Sequence, residues 1–408
     1  MKHGHLSGYF SKLAVKRLTE VEVNSAASSQ REFNGVAALK KLFPGNEKVQ
    51  MAAFFLWLGE DEIRSSEGSL TWYDARERHE KRSEYRLYFQ AGDTLSRARA
   101  GDVLLVALKK EGGAVFIVSH PDTTAFRQIL WLFGIADPLS EKVSVIGIEG
   151  SRDVELNFVA RSVLELIGVD VWTPDEDDLQ QMLKRFGGTF PASREFSAWA
   201  RSRSKRVSVL DDPDDALMTW LEKEEQLFKT LERHVVGHRL VQGFAPSGTP
   251  DVDAFVKYSL GVQNRRKSRA GLALENHLEE IFSQCRLSFT RGAVTERGNS
   301  PDFVFPGQAA YLDSSFPSEQ LVMLAAKASC KDRWRQILNE AARIPSKHLL
   351  TLEPGVSSAQ TTDMRRSGVR LLLPRQIHPS YLAEQLREVL DLAAFIGRVR
   401  ELNDNGAL

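Results

Sequence analysis

Two kinds of hydrophobic pattern divide the chain. In the first half, short apolar runs at Val49–Leu58, Val103–Leu108 and Ala114–Val118 are separated by Gly-rich or acidic turns such as Glu111-Gly112-Gly113. Runs of this length and spacing predict the strands of a small barrel or sandwich. Further on the pattern changes. A charged segment from about 214 to 235 predicts a long helix, and Leu274, Leu278, Ile281 and Phe282 predict the buried stripe of another one after Gly271. Phe303-Val304-Phe305 predicts a short strand stopped by Pro306 and Gly307, and Leu321–Ala326 is apolar throughout, as in a strand buried on both faces. Residues Arg333–Arg343 predict a helix with Trp334, Ile337, Leu338 and Ala341 on its buried side. The acidic, Pro-containing stretch Thr173–Asp178 and the pair Gly187-Gly188 mark the best break. The expected organisation is a mostly-β domain over 1–174, a linker over 175–188 and an α/β domain over 189–408.

Composition changes this picture little. Of 408 residues, 42% are hydrophobic and 26% charged, which are ordinary globular values. Lys plus Arg equals Asp plus Glu at 54 each, so any nucleic-acid surface must come from local clustering. Two cysteines, Cys285 and Cys330, are too few for a disulfide framework or a protein-only zinc site. No run approaches membrane-spanning length, no apolar leader follows Met1, and the expected location is cytoplasmic.

The candidate chemistry sits on the predicted strand pair. Asp302 opens one strand and Lys327, twenty-five residues later, ends the next. A carboxylate and a lysine so placed can hold a divalent metal against a phosphodiester, because Mg2+ takes one or two protein carboxylates with water and phosphate. A Pro-Asp pair alone is weak, since Pro121-Asp122, Pro174-Asp175, Pro213-Asp214 and Pro250-Asp251 also occur. The acid usual two residues before the lysine is replaced by Ala325, so a carboxylate must come from elsewhere. Glu340, off the buried side of the 333–343 helix, is the natural candidate, with Glu275 on the earlier helix as another. Ser329 and Asp332 fit a capping box, and Trp334 fits the core. His234 and His238, at i and i+4, fit an exposed helical face.

The segments Asn264–Gly271, Pro301–Pro306 and Lys327–Ala341 closely resemble the catalytic domain of EcoRII-type (type IIE) restriction endonucleases, of the PD-(D/E)xK superfamily. The resemblance is dense from about residue 257 to 374 and weaker toward the amino terminus. It implies Asp302 and Glu340 as Mg2+ ligands, Lys327 as the catalytic lysine, Glu275 as a supporting carboxylate and Tyr311 near the site. It also implies base contacts from Lys331, Asp332 and Arg333 to the outer G and C bases, with Arg265, Arg266 and Arg269 on the target DNA. Arginine or lysine matches guanine O6 and N7, and aspartate accepts from cytosine N4.

The amino-terminal segment Arg76–Tyr88 mixes arginines with acids, and its composition alone suits a solvated loop as well as a DNA reader. The resemblance places it on the DNA-contacting face of a B3-like pseudobarrel, with Arg76, Arg82, Glu84 and Arg86 on contact positions. Tyr85 and Glu80 stand where that family has lysines, and Phe33 where it has a tyrosine. One departure concerns Leu221–Phe228, which is acidic where the family has a basic helix that receives a flipped base; either Trp220 or another group serves instead, or the central base is handled differently. The implied function is Mg2+-dependent cleavage of double-stranded DNA at a CC-W-GG-like site by a homodimer, restrained by the amino-terminal domain until effector DNA binds. A cognate cytosine methyltransferase would act on the same site. The alternatives are a DNA-binding regulator with an inactive nuclease fold, and a repair or mobile-element nuclease.

Overall fold

A computed structural model describes residues 10–23, 32–34, 37–43, 47–59, 62–77, 79, 82–92, 94–133, 144–147, 176–245 and 249–404. The chain divides into two compact units, Met1–Val171 with Pro354–Ala359, and Trp172–Glu353 with Gln360–Leu408. Glu80 and residues 173–175 lie outside the described residues, as do the side chains of Phe33, Lys331, Asp332 and Arg333. Among the described residues no helix is long and apolar enough to cross a membrane.

The first unit is built on one eight-stranded sheet. Its strands are β1 (Phe10–Arg17), β2 (Glu32–Asn34), β3 (Val49–Leu58), β4 (Ile63–Asp74), β5 (Tyr85–Gln90), β6 (Val103–Lys109), β7 (Ala114–Ser119) and β8 (Ser144–Gly147). They lie in the order β2-β5-β4-β3-β7-β6-β1-β8, antiparallel except where β3 runs parallel to β7. The three predicted apolar runs are thus β3, β6 and β7. Strand alternation sets the chemistry of β5: Tyr85, Leu87 and Phe89 are buried, while Arg86 and Tyr88 are partly exposed. Trp72 stacks on Phe43 and Tyr85, with ring centroids 5.3 Å away in each case. Gly68 allows close approach of β5, since a Cβ there would lie 1.9 Å from the Gln90 carbonyl oxygen. Three α-helices, α1 (Glu20–Val23), α2 (Ala37–Leu42) and α3 (Thr124–Phe133), and a 3-10 turn at Thr94–Arg97 lie in the connections among the described residues.

The second unit packs helices around a five-stranded mixed sheet. Helices α4 (Glu176–Phe186), α5 (Ser193–Arg203), α6 (Pro213–Gln242) and α7 (Val252–Gln284) precede strands β9 (Thr290–Arg291), β10 (Phe303–Phe305), β11 (Val322–Lys327), β12 (Lys347–Thr351) and β13 (Val369–Leu372). The sheet order is β13-β12-β11-β10-β9, with β11, β12 and β13 parallel and β10 antiparallel to both neighbours. Short α8 (Gln308–Leu312), α9 (Ser358–Arg366), α10 (Ala383–Leu386) and α11 (Leu392–Asp404) follow in the connections. The predicted stripe Leu274, Leu278, Ile281 and Phe282 is fully buried. Phe282 meets the rings of Phe303 and Phe305 edge-on at 5.2 Å, which fixes α7 against β10. Burial of one such ring is worth roughly 1.5–3 kcal/mol.

Three expectations need correction. The segment 175–188, expected as a linker, holds α4, whose Met182 is buried with Phe196, Trp199 and Leu231. Its acids are the favourable first turn of an amphipathic helix. The helix carrying Glu275 starts well before Gly271, at Val252, capped by Asp251 accepting from the Ala254 N–H at 2.9 Å. Last, Arg333–Arg343 is not an α-helix. A 3-10 helix spans Lys331–Asn339 and ends before Glu340, whose backbone is extended. Trp334, Ile337 and Ala341 are buried as expected, but Ala341 takes a left-handed φ of 47° that breaks the helix.

Candidate active site

Sheet register assembles the site. Phe303 pairs with Leu324, so one residue further on Asp302 stands against Ala325 near the end of β11. Asp302 Oδ2 accepts from the Ala326 N–H at 2.7 Å and from Lys327 Nζ at 2.8 Å. The other oxygen, Oδ1, takes part in none of the hydrogen bonds of the described residues. Glu340 reaches the same place from beyond the 3-10 helix. Burial pushes its pKa up to about 7, with Lys327 and Lys347 pulling down and the Asp302 charge pushing up. Its Oε2 is buried and makes no hydrogen bond. Glu275 on α7 is raised in the same sense, first by burial and then by Asp302, against the pull of Arg291 and Lys327. Asp302, Lys327, Glu340 and Glu275 therefore form one electrostatic group.

Several residues that sequence reasoning missed hold this group in place. Arg291 on β9 donates to Glu275 at 2.8 Å, to Asn276 at 2.8 Å and to Glu279 at 2.6 Å. Lys347, 5% exposed, donates to the carbonyls of Glu340 and Ala341, the latter at 2.6 Å. Tyr311, expected near the site, is buried and gives its hydroxyl to Glu296 at 2.6 Å; burial and that carboxylate push its pKa up to about 12. Glu296 also accepts from the Ala342 N–H at 3.2 Å. Arg343 donates to the carbonyls of Tyr311, Asp313 and Phe316. Tyr311, Glu296, Lys347 and Arg343 together fix the turn that carries Glu340. None of these bonds has a local sequence signature, because each joins residues far apart in the sequence or at non-helical spacing.

The donor set suits a hard cation. Among the described residues no three His, Cys, Asp or Glu side chains converge as a closed metal cluster. Mg2+ does not need one, since it keeps most of its waters. Asp302 Oδ1 and the unpartnered Glu340 Oε2 are the oxygens it would take. A buried carboxylate oxygen without a partner costs stability unless something binds it.

The other expected DNA contacts are engaged within the second unit. Arg266 donates to Glu232 at 2.8 Å, and Arg269 pairs with Glu225 and, at 3.7 Å, with Glu224. Arg265 lies over the Phe190 ring at 4.4 Å. These residues lie inside α7 rather than before it. They also account for the acidic 221–228 segment: Glu224, fully buried, stands 2.9 Å from His277 and faces Arg269. Trp220 is 6% exposed and lies against His277 at 5.7 Å. His234 and His238 are adjacent on α6, at 4.5 Å. In the first unit, Glu84 sits between Arg76 at 2.6 Å and Arg86 at 2.8 Å, and these arginines hold its pKa below the usual value. Arg82 is exposed beside them.

Residues 228–396 match the family model described as EcoRII C terminal. This part of the chain is therefore similar to the carboxy-terminal domain of that family. The chain is 44% identical over 214 residues to the type II restriction enzyme EcoRII of Escherichia coli, covering 52% of the chain and 51% of that enzyme. The match thus spans about half the length of the curated relative. Two solved structures align at low similarity. Metal-depleted Ecl18kI in complex with uncleaved, modified DNA gives a TM-score of 0.45 at 16% identity, over 56% of this chain and 84% of that one. Metal-depleted Ecl18kI with uncleaved DNA gives 0.43 at 15%, over 56% and 85%.

Proposed function

We propose that the chain is a type II site-specific deoxyribonuclease of the EcoRII type that hydrolyses double-stranded DNA at a CC-W-GG-like site. The observation that carries this reading is the 2.8 Å Lys327–Asp302 contact beside the unpartnered Glu340 oxygen, inside the region similar to the EcoRII C-terminal family. In this reading Asp302 and Glu340 hold Mg2+, which when bound polarises the phosphoryl oxygen and lowers the pKa of its water. Lys327 orients the attacking water and offsets charge developing on the phosphate. Glu275, kept in place by Arg291, supports the Asp302 side of the site. Tyr311 acts as a positioning residue through Glu296 rather than on the phosphate.

Lys331, Asp332 and Arg333 read the outer C·G pairs, and Arg265, Arg266 and Arg269 contribute charge along the target duplex once they exchange partners. The chain acts as a homodimer, because two-fold symmetry lets one site meet each strand of a near-palindrome. The first unit forms a B3-like effector domain that binds a second DNA copy through Arg76, Arg82, Glu84 and Arg86, and the second unit, α4 included, forms the PD-(D/E)xK nuclease. A cytosine methyltransferase acting on the same site completes the system.

Digestion of a plasmid in Mg2+, with sequencing of the product ends, tests the central reading. One recurrent CC-W-GG-like sequence at the ends supports it, and random ends or intact plasmid refute it. Adding a site-containing oligonucleotide should speed cleavage of a single-site plasmid, and Arg82→Ala/Arg86→Ala should abolish that response.

A further inference from the structure

We propose that Glu353 is a positioning residue for sequence recognition, holding the turn between the catalytic lysine and the Lys331–Arg333 segment. The inference rests on the nuclease reading above for its functional part and on geometry for its local part. Strands β11 and β12 are parallel, with Lys327 opposite Thr351. Just beyond those two ends, the chains meet again through one carboxylate. Glu353, 7% exposed, accepts at Oε2 from the Cys330 N–H at 2.6 Å and from the Ser329 hydroxyl at 3.4 Å.

Glu353 is itself held along its backbone. Its N–H donates to the Thr351 hydroxyl at 3.2 Å, and its carbonyl accepts from the buried Tyr381 hydroxyl at 2.5 Å. The 3-10 helix Lys331–Asn339 starts at Cys330, which supplies no side-chain cap of its own. A capping box between Ser329 and Asp332 is the local solution its sequence offers, yet the Ser329 hydroxyl is directed at Glu353. The two residues that lead into this helix are thus held from just beyond the neighbouring strand. A carboxylate there also complements the positive end of the helix and makes charge-assisted bonds.

Burying a carboxylate is costly unless its bonds are needed. What they fix is the point at which the chain leaves Lys327 and enters the base-reading segment. Base-edge contacts depend on direction and distance, so a loose turn would lose discrimination while leaving phosphate contacts intact.

Glu353→Ala and Glu353→Gln test this, with two readouts on the full chain. The first is deuterium labelling of the Cys330 backbone amide, the donor to Glu353, against the helix-bonded Cys285 amide as internal reference, followed by peptide mass. The second is the ratio of affinities, in EDTA, for a duplex containing the site and one with an outer base pair exchanged. E353A should label at Cys330 at least about ten-fold faster and lose about ten-fold in the ratio, the worth of one base contact. Cys285 labelling and affinity for random duplex should not change. E353Q keeps an acceptor and should stay within about three-fold of wild type in both readouts. Should E353A fail to fold, Glu353→Asp, one methylene shorter, takes its place with the same expectations. Unchanged Cys330 labelling overturns the clamp, and faster labelling with an unchanged ratio overturns its role in recognition. A wild-type protein with no preference for any duplex instead overturns the nuclease reading, and the labelling arm still decides the clamp.

Discussion

If Glu340 is a metal ligand, Mg2+ must displace a proton from it, and the binding must carry that signature. With the pKa near 7, about nine in ten metal-free molecules hold this proton at pH 6 and about one in ten at pH 8. Mg2+ binding should therefore release about 0.9 proton at pH 6 and about 0.1 at pH 8, and the apparent affinity should rise about ten-fold from pH 6 to pH 8. Calorimetric Mg2+ titrations in two buffers of different ionisation enthalpy read the proton count directly. Glu275, also raised, adds release of the same sign, so the difference between wild type and Glu340→Gln isolates Glu340. The sign for stability follows from the same shift. A carboxyl raised above its unfolded value keeps a proton in the fold that the unfolded chain gives up. The metal-free protein should thus lose stability as pH rises from about 4.5 to about 7, then level off, and Glu340→Gln should flatten that slope. Equal proton release by wild type and Glu340→Gln at pH 6 would refute the reasoning.

Tyr311→Phe should cost about 0.5–1.5 kcal/mol in urea unfolding and lower cleavage only modestly, because its hydroxyl serves Glu296; a loss as large as that of Asp302→Ala would put the hydroxyl on the reacting atoms. Lys347→Met leaves the buried carbonyls of Glu340 and Ala341 without their donor and should cost about 1–3 kcal/mol, with a matching fall in cleavage rate; undiminished activity would show that the turn holds Glu340 without it. If the first unit restrains the nuclease as proposed, a chain starting at residue 176 should cut single-site DNA faster than the full chain, and an equal rate would remove that restraint. One starting at 189 should be less stable than the 176 form by at least about 2 kcal/mol in urea, because it loses the buried Met182; equal stability would make α4 dispensable.

The parts of the fold legible in the sequence are those set by unbroken burial. Phe303–Phe305 and Leu321–Ala326 read as strands because nearly every side chain is inside, and their antiparallel register then brings Asp302 to Lys327. The run 333–343 misled because its periodicity suits an α-helix while distant groups decide otherwise. Lys347 takes the Glu340 and Ala341 carbonyls, Glu296 takes the Ala342 N–H, and Pro345 disfavours helix at Ile344. Glu340 reaches the site because that helix ends early. Acidic residues 175–178 looked like a break, yet Leu179, Met182, Leu183 and Phe186 carry the helical spacing that buries α4. Arg266 and Arg269 read as free cations, but their partners Glu232, Glu225 and Glu224 lie on α6, some forty residues earlier. Pairing between helices leaves no mark on either segment alone.

Single-turnover cleavage of an end-labelled duplex in Mg2+ by wild type, Asp302→Ala and Lys327→Ala tests the central claim most directly. Wild type should cleave, and both variants should lose at least about 10³-fold, with circular dichroism and duplex binding retained. Near wild-type cleavage by either variant would contradict it.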